Sequence, residues 1–372
     1  MKVAIIRNVR ESRNLSMSLY ADRLRDALVN QCDVVDVRLE PDFAYQLARI
    51  GGLRIQDYVG RFWSFPKQLR FLRANVFHIV DHANTYLIRV IDPERTVITC
   101  HDLMLIKLAA GEIPWHGRQP WTASRIFRWS VSYLPRAGAV LCVSEATKRD
   151  IIRLVGCVPE RLHLVYPGLD EMFRRIFDVD AIAQARMRFG ITWPITILHV
   201  GANLFYKNLD GVIEALAILA SRWHDKVHFV KVGMDFTSAQ RKLIRRRGLG
   251  RNVHFLGQIS PKDLVLLYNI SDILLYPSLY EGFGLPPIEA MACGTPVVCS
   301  DRGSLKEVVG DAAVIVDPED PKAIAEGVER VLTDAELRQT LVARGIERAK
   351  GFKWATTAEK VMKIYHEIAS TH

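Results

Sequence analysis

Tyr276-Pro277-Ser278-Leu279-Tyr280-Glu281-Gly282-Phe283-Gly284-Leu285-Pro286-Pro287-Ile288-Glu289-Ala290 is the stretch that decides how the chain is read. An apolar run over 273–276 ends at a proline and a loop carrying Gly282 and Gly284 follows. Pro286 and Pro287 then open a helix, where a missing N–H does no harm. Glycine lets a backbone approach a ligand closely, and a helix start leaves N–H groups and partial positive charge for an anion. Glu281 lies on the loop and Glu289 about one turn into the helix, so both can address one cleft. A carboxylate beside an anion site makes sense when it accepts hydrogen bonds from hydroxyl groups, which sugars supply. Alone, Glu289 would serve the helix dipole and Glu281 would be a solvated loop acid. A capping box does not explain Glu289, because Pro286 stands where a Ser or Thr would be needed. Glycines, prolines and acids together point to a binding turn.

Outward from this turn, short β-branched runs alternate with amphipathic helical stretches, the pattern of parallel sheets covered by helices on both faces. The runs are 3–6, 34–37, 76–79, 96–99, 139–143 and 162–165, then 195–200, 227–232, 253–256, 273–276, 296–300 and 313–316. Leu209, Val212, Ile213, Leu216 and Leu219 recur at helical spacing, and Ser144 and Ser260 stand as helix caps. Tyr166-Pro167-Gly168-Leu169-Asp170 breaks the rhythm before the charged stretch 171–180, which places a hinge there. The expected fold class is α/β: two Rossmann-like doubly wound domains, 1–173 and 174–354, facing across a ligand cleft.

Composition narrows the function. Hydrophobic residues at 49% and charged residues at 24% exclude a mostly disordered chain. No run reaches the roughly 18–20 uncharged apolar residues of a membrane-spanning helix. The start, Met1 to Arg7, reads as a strand rather than a signal peptide, so a cytoplasmic location is expected. Six cysteines without a CxxC pair suit reduced, buried thiols and not a zinc site. A net charge of +9 favours anionic partners. Asp178-Val179-Asp180 has metal-site spacing but lies in the hinge region, so no metal is expected. The basic run 241–247 lacks interleaved aromatics and reads as a solvated helix face, not a nucleic-acid site. Segment 61–73 mixes Trp63, Phe65 and Phe71 with Lys67, Arg70 and Arg73. That composition suits a core helix and equally a peripheral contact with the anionic inner face of a membrane.

The stretch EGFGLPPIEAMACGTPVV (281–298), with Glu281 and Glu289 as E-x7-E, continues into SDRGSLKEVVGDAAVIVDPEDP (300–321). Both resemble the retaining, nucleotide-sugar-dependent glycosyltransferases of family 4, which have the GT-B fold; the likeness is strongest over 199–332. On this resemblance Glu281 lies by the donor sugar and its leaving phosphate. Gly282, Phe283 and Gly284 hold sugar hydroxyls through backbone amides, Leu285 lies near the phosphates, and Glu289 binds the ribose hydroxyls. Gly201-Ala202-Asn203-Leu204-Phe205-Tyr206-Lys207-Asn208 resembles the family's G-x5-K-N segment. It puts Gly201 and Asn203 at the donor and makes Lys207 the phosphate ligand. Relatives often carry arginine directly after the glycine and before the lysine. Ala202 and Tyr206 stand there in this chain, so phosphate neutralisation falls on Lys207 and the helix terminus.

Thr99-Cys100-His101-Asp102 resembles the family's T-x-H-D segment, whose histidine contacts the donor sugar and helps arrange the acceptor. His101 therefore joins Glu281 and Lys207 as an expected catalytic residue, with Asp102 on the acceptor side. His82, beside His78 and Asp81, forms a second strand-end cluster assigned to the acceptor. The first strand–helix turn often holds glycines in relatives; here it begins Arg7-Asn8-Val9-Arg10. Arg7 or Arg10 is expected to receive an anionic acceptor such as a phosphate-bearing lipid-linked sugar, with a solvated basic loop as the alternative.

The resemblance implies a metal-independent, retaining hexosyltransferase that needs no cofactor and takes a GDP- or UDP-sugar as co-substrate. The departing phosphate would accept the acceptor's proton, with no protein nucleophile. The likeness is greatest to bacterial mannosyltransferases of polysaccharide assembly. Mannose from GDP-mannose is thus the leading donor, a UDP-sugar the second, and a glycan or lipid-linked hydroxyl the acceptor. A terminal helix over about 355–372 is implied to pack back on the first domain. Two other classes stay open: a sugar-nucleotide epimerase of the same fold, and a non-catalytic sugar-binding protein. A nicotinamide dehydrogenase is disfavoured because the first strand lacks a GxGxxG turn.

Overall fold

The structure, a computed structural model, describes residues 1–7, 15–38, 59–114 and 121–370. All twelve expected strands are present, with no end moved by more than one residue. They are β1 (Lys2–Ile6), β2 (Asp33–Val37), β3 (Val76–Ile79), β4 (Thr96–Cys100), β5 (Ala139–Cys142) and β6 (Leu162–Leu164), then β7 (Ile195–Gly201), β8 (Val227–Gly233), β9 (Val253–Gly257), β10 (Ile273–Tyr276), β11 (Val297–Cys299) and β12 (Ala313–Ile315). The described residues fall into two compact units. One holds the residues up to 112, 121–168 and 353–370; the other holds 113–114 and 169–352. The division comes at Gly168/Leu169, five residues before the expected 173, because the Leu169 N–H already bonds the Phe352 carbonyl of the second unit (2.9 Å).

The first unit is a parallel sheet in the order β2-β1-β3-β4-β5-β6. Its inner strands β1, β3, β4 and β5 are buried on both faces, as parallel strands between helices must be. Ala4 and Ile6 join Phe65, Leu87 and Leu134 in one core, while Val3 and Ile5 join Tyr20, Leu24 and Val361 in the other. The second core takes one face of the terminal helix Trp354–Ser370, whose Val361, Ile364 and Tyr365 are buried. Ser144 caps the helix Glu145–Val155 by accepting the Thr147 N–H at 3.0 Å. Segment 61–73 divides its residues between interior and surface. Phe65 and Leu69 lie in the core, whereas Trp63 and Phe71 are 66% and 78% exposed. Among the described residues no helix is long and apolar enough to cross a membrane.

The second unit is a parallel sheet in the order β12-β11-β10-β7-β8-β9. The chain runs outward from β7 through β8 to β9, then returns to place β10 on the other side of β7. The loops after β7 and β10 therefore leave neighbouring strands in opposite directions, the crevice where doubly wound sheets bind ligands. The helix Leu209–Trp223 buries the five apolar residues that its spacing marks. Ser260 caps Pro261–Ile270 as expected. Asp178 caps Val179–Arg188 by accepting the Asp180 and Ala181 N–H groups, so the D-x-D spacing is that of a helix start. The helix Ser238–Arg246 leaves most of its basic side chains exposed.

Candidate active site

The second unit builds its site from two loops tied to each other and to a third. After β10 the chain runs through 277–284 to the helix Leu285–Ala292, which starts at Gly284 (φ 93°) without a side-chain cap. The Leu279 N–H donates to the Tyr206 carbonyl of the neighbouring loop at 2.7 Å. Ser304 reaches in from the loop after β11: its N–H donates to the Glu281 carbonyl at 3.0 Å and its hydroxyl to the Phe283 carbonyl at 2.8 Å. Gly303 makes this approach possible, because a Cβ there would stand 2.2 Å from the Glu281 carbonyl oxygen. The turn that carries Glu281 is thus held by main-chain bonds from two sides.

The loop after β7 ends in a 3-10 turn, Phe205–Lys207, and turns into its helix through Asn208 in the left-handed conformation (φ 57°). The Asn208 amide donates to the Pro277 and Pro318 carbonyls at 3.1 and 2.6 Å, so the asparagine of the K-N pair holds the loops together. This geometry turns Lys207 inward. Its ammonium lies 2.6 Å from a Glu281 carboxylate oxygen and donates also to the Tyr276 hydroxyl. Lys207 and Glu281 are 9% and 8% exposed. Burial, and next the charge of Glu281, hold the Tyr276 hydroxyl protonated, its pKa well above the usual 10. Breaking such a buried pair by removing one partner costs about 3–5 kcal/mol, because the other charge is left without an answer. A phosphate can take the place of the carboxylate beside Lys207 without leaving the ammonium bare.

Glu289 lies one turn into the helix, where its Oε2 accepts the Tyr268 hydroxyl at 2.8 Å. Burial pushes its carboxyl up to about 7; the Tyr268 bond opposes this and Asp170 adds to it. Gly282 and Leu285 are half-buried on the same turn, while Phe283 is buried with its ring edge-on to Phe352 at 5.6 Å. Asn203 is held apart from this group. Its amide nitrogen donates to the Asp235 carbonyl and to Gln240 Oε1, both at 2.7 Å, so the side chain expected at the donor fastens its own loop to the next helix.

On the first unit, strand ends β3 and β4 gather a set of histidines. His101 is half-buried, its Nε2–H donates to the Val80 carbonyl at 2.9 Å, and Tyr20 stands edge-on at 4.9 Å. That bond leaves Nδ1 as the acceptor, and burial, helped by His82, lowers the pKa of the ring. His82 is 2% exposed, and its Nδ1 accepts the His101 N–H at 3.2 Å, so it shapes the His101 turn from within. Asp102 Oδ1 accepts the Met104 N–H at 2.9 Å and starts the helix Met104–Ala109. Arg7, read from the sequence as a receiver of an anionic acceptor, is also 2% exposed. Its guanidinium is engaged by Asp22 at 2.8 Å and by Asp36, two carboxylates that neutralise it inside the unit. Arg10 lies outside the described residues. Tyr276 and Tyr268, which hold the two glutamate clusters, escape a sequence reading because a tyrosine in an apolar run looks like core.

Comparison with known proteins follows the same division. The family described as Glycosyltransferase Family 4 matches residues 17–172, and Glycosyl transferases group 1 matches residues 186–348. The O-antigen chain mannosyltransferase B of Escherichia coli is 30% identical over 275 residues, 73% of this chain and 70% of that protein. The serotype-specific mannosyltransferase WbdA of the same organism is 27% identical over 74% of this chain, which spans about a third of its length (34%). Among solved structures, Anabaena HepE in complex with UDP and glucose superposes with a TM-score of 0.74 at 19% identity, covering 99% of this chain and 100% of that one.

Proposed function

The chain belongs to glycosyltransferase family 4 and is a glycosyltransferase; from that premise we propose that it moves mannose from GDP-mannose to a hydroxyl of a glycan or lipid-linked acceptor, with retention of anomeric configuration. One observation carries the donor half of this reading. Lys207 and Glu281 come together where β7 and β10 adjoin, beside the start of the helix Leu285–Ala292, and that helix carries Glu289 one turn further on. An ammonium and the positive end of a helix suit a diphosphate, and Glu289 suits the paired hydroxyls of a ribose.

In the proposed course the diphosphate displaces Glu281 from Lys207, and Glu281 turns to the sugar. Charge developing on the leaving phosphate is then met by Lys207 and the positive end of the helix, a preorganised arrangement worth about 3–4 kcal/mol per donor in comparable sites. No metal is required by this route. On the first unit, the Nδ1 lone pair of His101 is placed to accept a hydroxyl proton in a hydrogen bond. Mannose as the sugar rests on the two mannosyltransferase relatives. A UDP-hexose is the competing donor, by analogy with the UDP-bound relative of the same fold. We also place the protein in the cytoplasm at the inner membrane face, through exposed Trp63 and Phe71 with Lys67 and Arg70 beside them.

Side-by-side assays with GDP- and UDP-sugars test the reading. GDP release from GDP-mannose that depends on an added glycan acceptor, with an α-linked product by NMR, is expected. Turnover of the nucleotide sugar without acceptor would indicate an epimerase instead. Co-sedimentation with phosphatidylglycerol vesicles, lost in Trp63→Ala/Phe71→Ala, checks the membrane contact.

A further inference from the structure

A second lysine lies beneath the phosphate loop, and the mechanism above makes no use of it. Lys231, on β8, is 0% exposed, although its side chain starts from the middle of a sheet. Its ammonium donates to the Gly201 carbonyl at 2.6 Å and to its neighbour Val232's carbonyl at 2.7 Å. Among the described residues no carboxylate is paired with it. A buried cation answered only by carbonyl dipoles is expensive and is rarely kept without a use.

The surroundings say which use. Gly201 opens the G-x5-K-N loop, and it is held between the two lysines. The Lys207 Cε is 3.8 Å from where a Gly201 Cβ would stand, while Lys231 binds the Gly201 carbonyl. Gly233, beside Gly201 in the β7–β8 register, has φ 105°, and a Cβ there would stand 2.3 Å from the Gly201 oxygen. The carbonyl is thus directed inward to Lys231. His199, fully buried on β7, donates through Nδ1 to the Leu275 carbonyl, and its Nε2 has no hydrogen-bond partner. Burial holds this ring neutral, its pKa lowered to about 3, so it adds no second charge. Lys207 is already answered by Glu281, which leaves Lys231 as the charge not yet matched.

Resting on the donor-site reading, we propose that Lys231 is a positioning residue of the diphosphate site: a buried cation that orients the Gly201 loop and draws the diphosphate electrostatically from below. It would supply from inside the positive charge that Ala202, where relatives often carry arginine, does not supply from outside. The charged groups that face it are Lys207, which opposes its charge, and Asp235, which favours it, while the His199 ring beside them stays neutral. Burial and Lys207 lower its ammonium pKa to about 8, so its charge weakens within reach of ordinary buffers.

The test compares GDP with guanosine, and UDP with uridine, by calorimetry at pH 7.5 and 9.5, above the range in which the phosphate itself titrates. Lys231→Met keeps the length without charge, and Lys231→Gln keeps a donor for the Gly201 carbonyl; melting curves establish that each is folded. The expected result is diphosphate affinity lower by about tenfold or more in both variants, with nucleoside affinity within about twofold. The wild type should lose diphosphate preference between pH 7.5 and 9.5, a loss that needs no variant to observe. Unchanged diphosphate affinity, equal losses for nucleoside and diphosphate, or a pH-independent preference in the wild type would overturn the inference. Wild-type protein that binds neither GDP nor UDP overturns the donor-site reading beneath it.

Discussion

The strand ends of the two units solve opposite electrostatic problems. On the second unit, Lys207, Glu281 and Lys231 bring full charges into a region where Tyr276 and His199 are held neutral by burial. On the first, His78, His82 and His101 gather with Tyr20 and Thr99, and burial lowers His78 to about 3 and holds His101 below its ordinary value. One region is built from charges that suit a polyanion; in the other the half-buried His101 ring, with its Nδ1 lone pair, suits an uncharged hydroxyl, while His78 and His82 are spent on internal bonds. In a transfer from a nucleoside diphosphate sugar to an alcohol, the two substrates differ in this same respect. The lesson is that the titration state of each region, rather than its motif alone, tells which substrate it suits.

The largest expected effect breaks the charged side. Lys207→Ala should lower kcat/KM for the donor by about 100-fold or more, since it removes the cation that meets the leaving phosphate. A value within fivefold of wild type would refute its role. Next, His101→Ala should lower kcat with saturating donor by about 10- to 100-fold, the range for a lost positioning hydrogen bond in a transition state. GDP affinity should stay within about twofold, and a parallel loss of GDP binding would dissolve the contrast between the units.

Glu289→Gln should weaken nucleoside binding by about tenfold at pH 8, as expected when a charge-assisted hydrogen bond is lost. It should also flatten the pH dependence that titration of Glu289 near 7 gives the wild type. The sign follows from linkage. A carboxyl raised in the fold contributes stability below its ordinary value of 4.5 and loses it as pH rises through about 7. The melting temperature of wild type relative to Glu289→Gln should therefore fall from pH 5 to pH 8. Tyr276→Phe, which removes one hydrogen bond to Lys207, should cost only about three- to tenfold in kcat/KM. The smallest catalytic effect belongs to Arg7→Met. It should lower the melting temperature, because the buried guanidinium's bonds to Asp22 and Asp36 are lost and only the more exposed Arg25 and Arg38 still answer them, yet leave the acceptor KM within about twofold.

Much of this was legible in advance for local reasons. Residues such as Val3 to Ile6 and Leu274 to Tyr276 declare strands by their run length, and Ser144 and Ser260 declare helix starts by capping chemistry. The acids of the E-x7-E turn stand out because glycines and prolines flank them. Arg7 and Asn203 misled because a sequence shows a polar side chain without showing its partners. Asp36 lies 29 residues from Arg7, and Gln240 lies 37 residues from Asn203. Lys231 lies inside the run 227–232, with nothing local to mark it as a buried cation that binds the Gly201 carbonyl.

Period and turn chemistry act over a few residues, and so the chain alone determined the two α/β halves, their twelve strands and the turn bearing Glu281 and Glu289. Strand order is a different matter, because it is set by which sheets can bury both faces at once. Only when β10 was laid beside β7 did Lys207 meet Glu281, 74 residues away, with Lys231 underneath. The charge balance of the site arises from that adjacency, since a carboxylate or an ammonium is buried at tolerable cost only where the fold brings a partner to it.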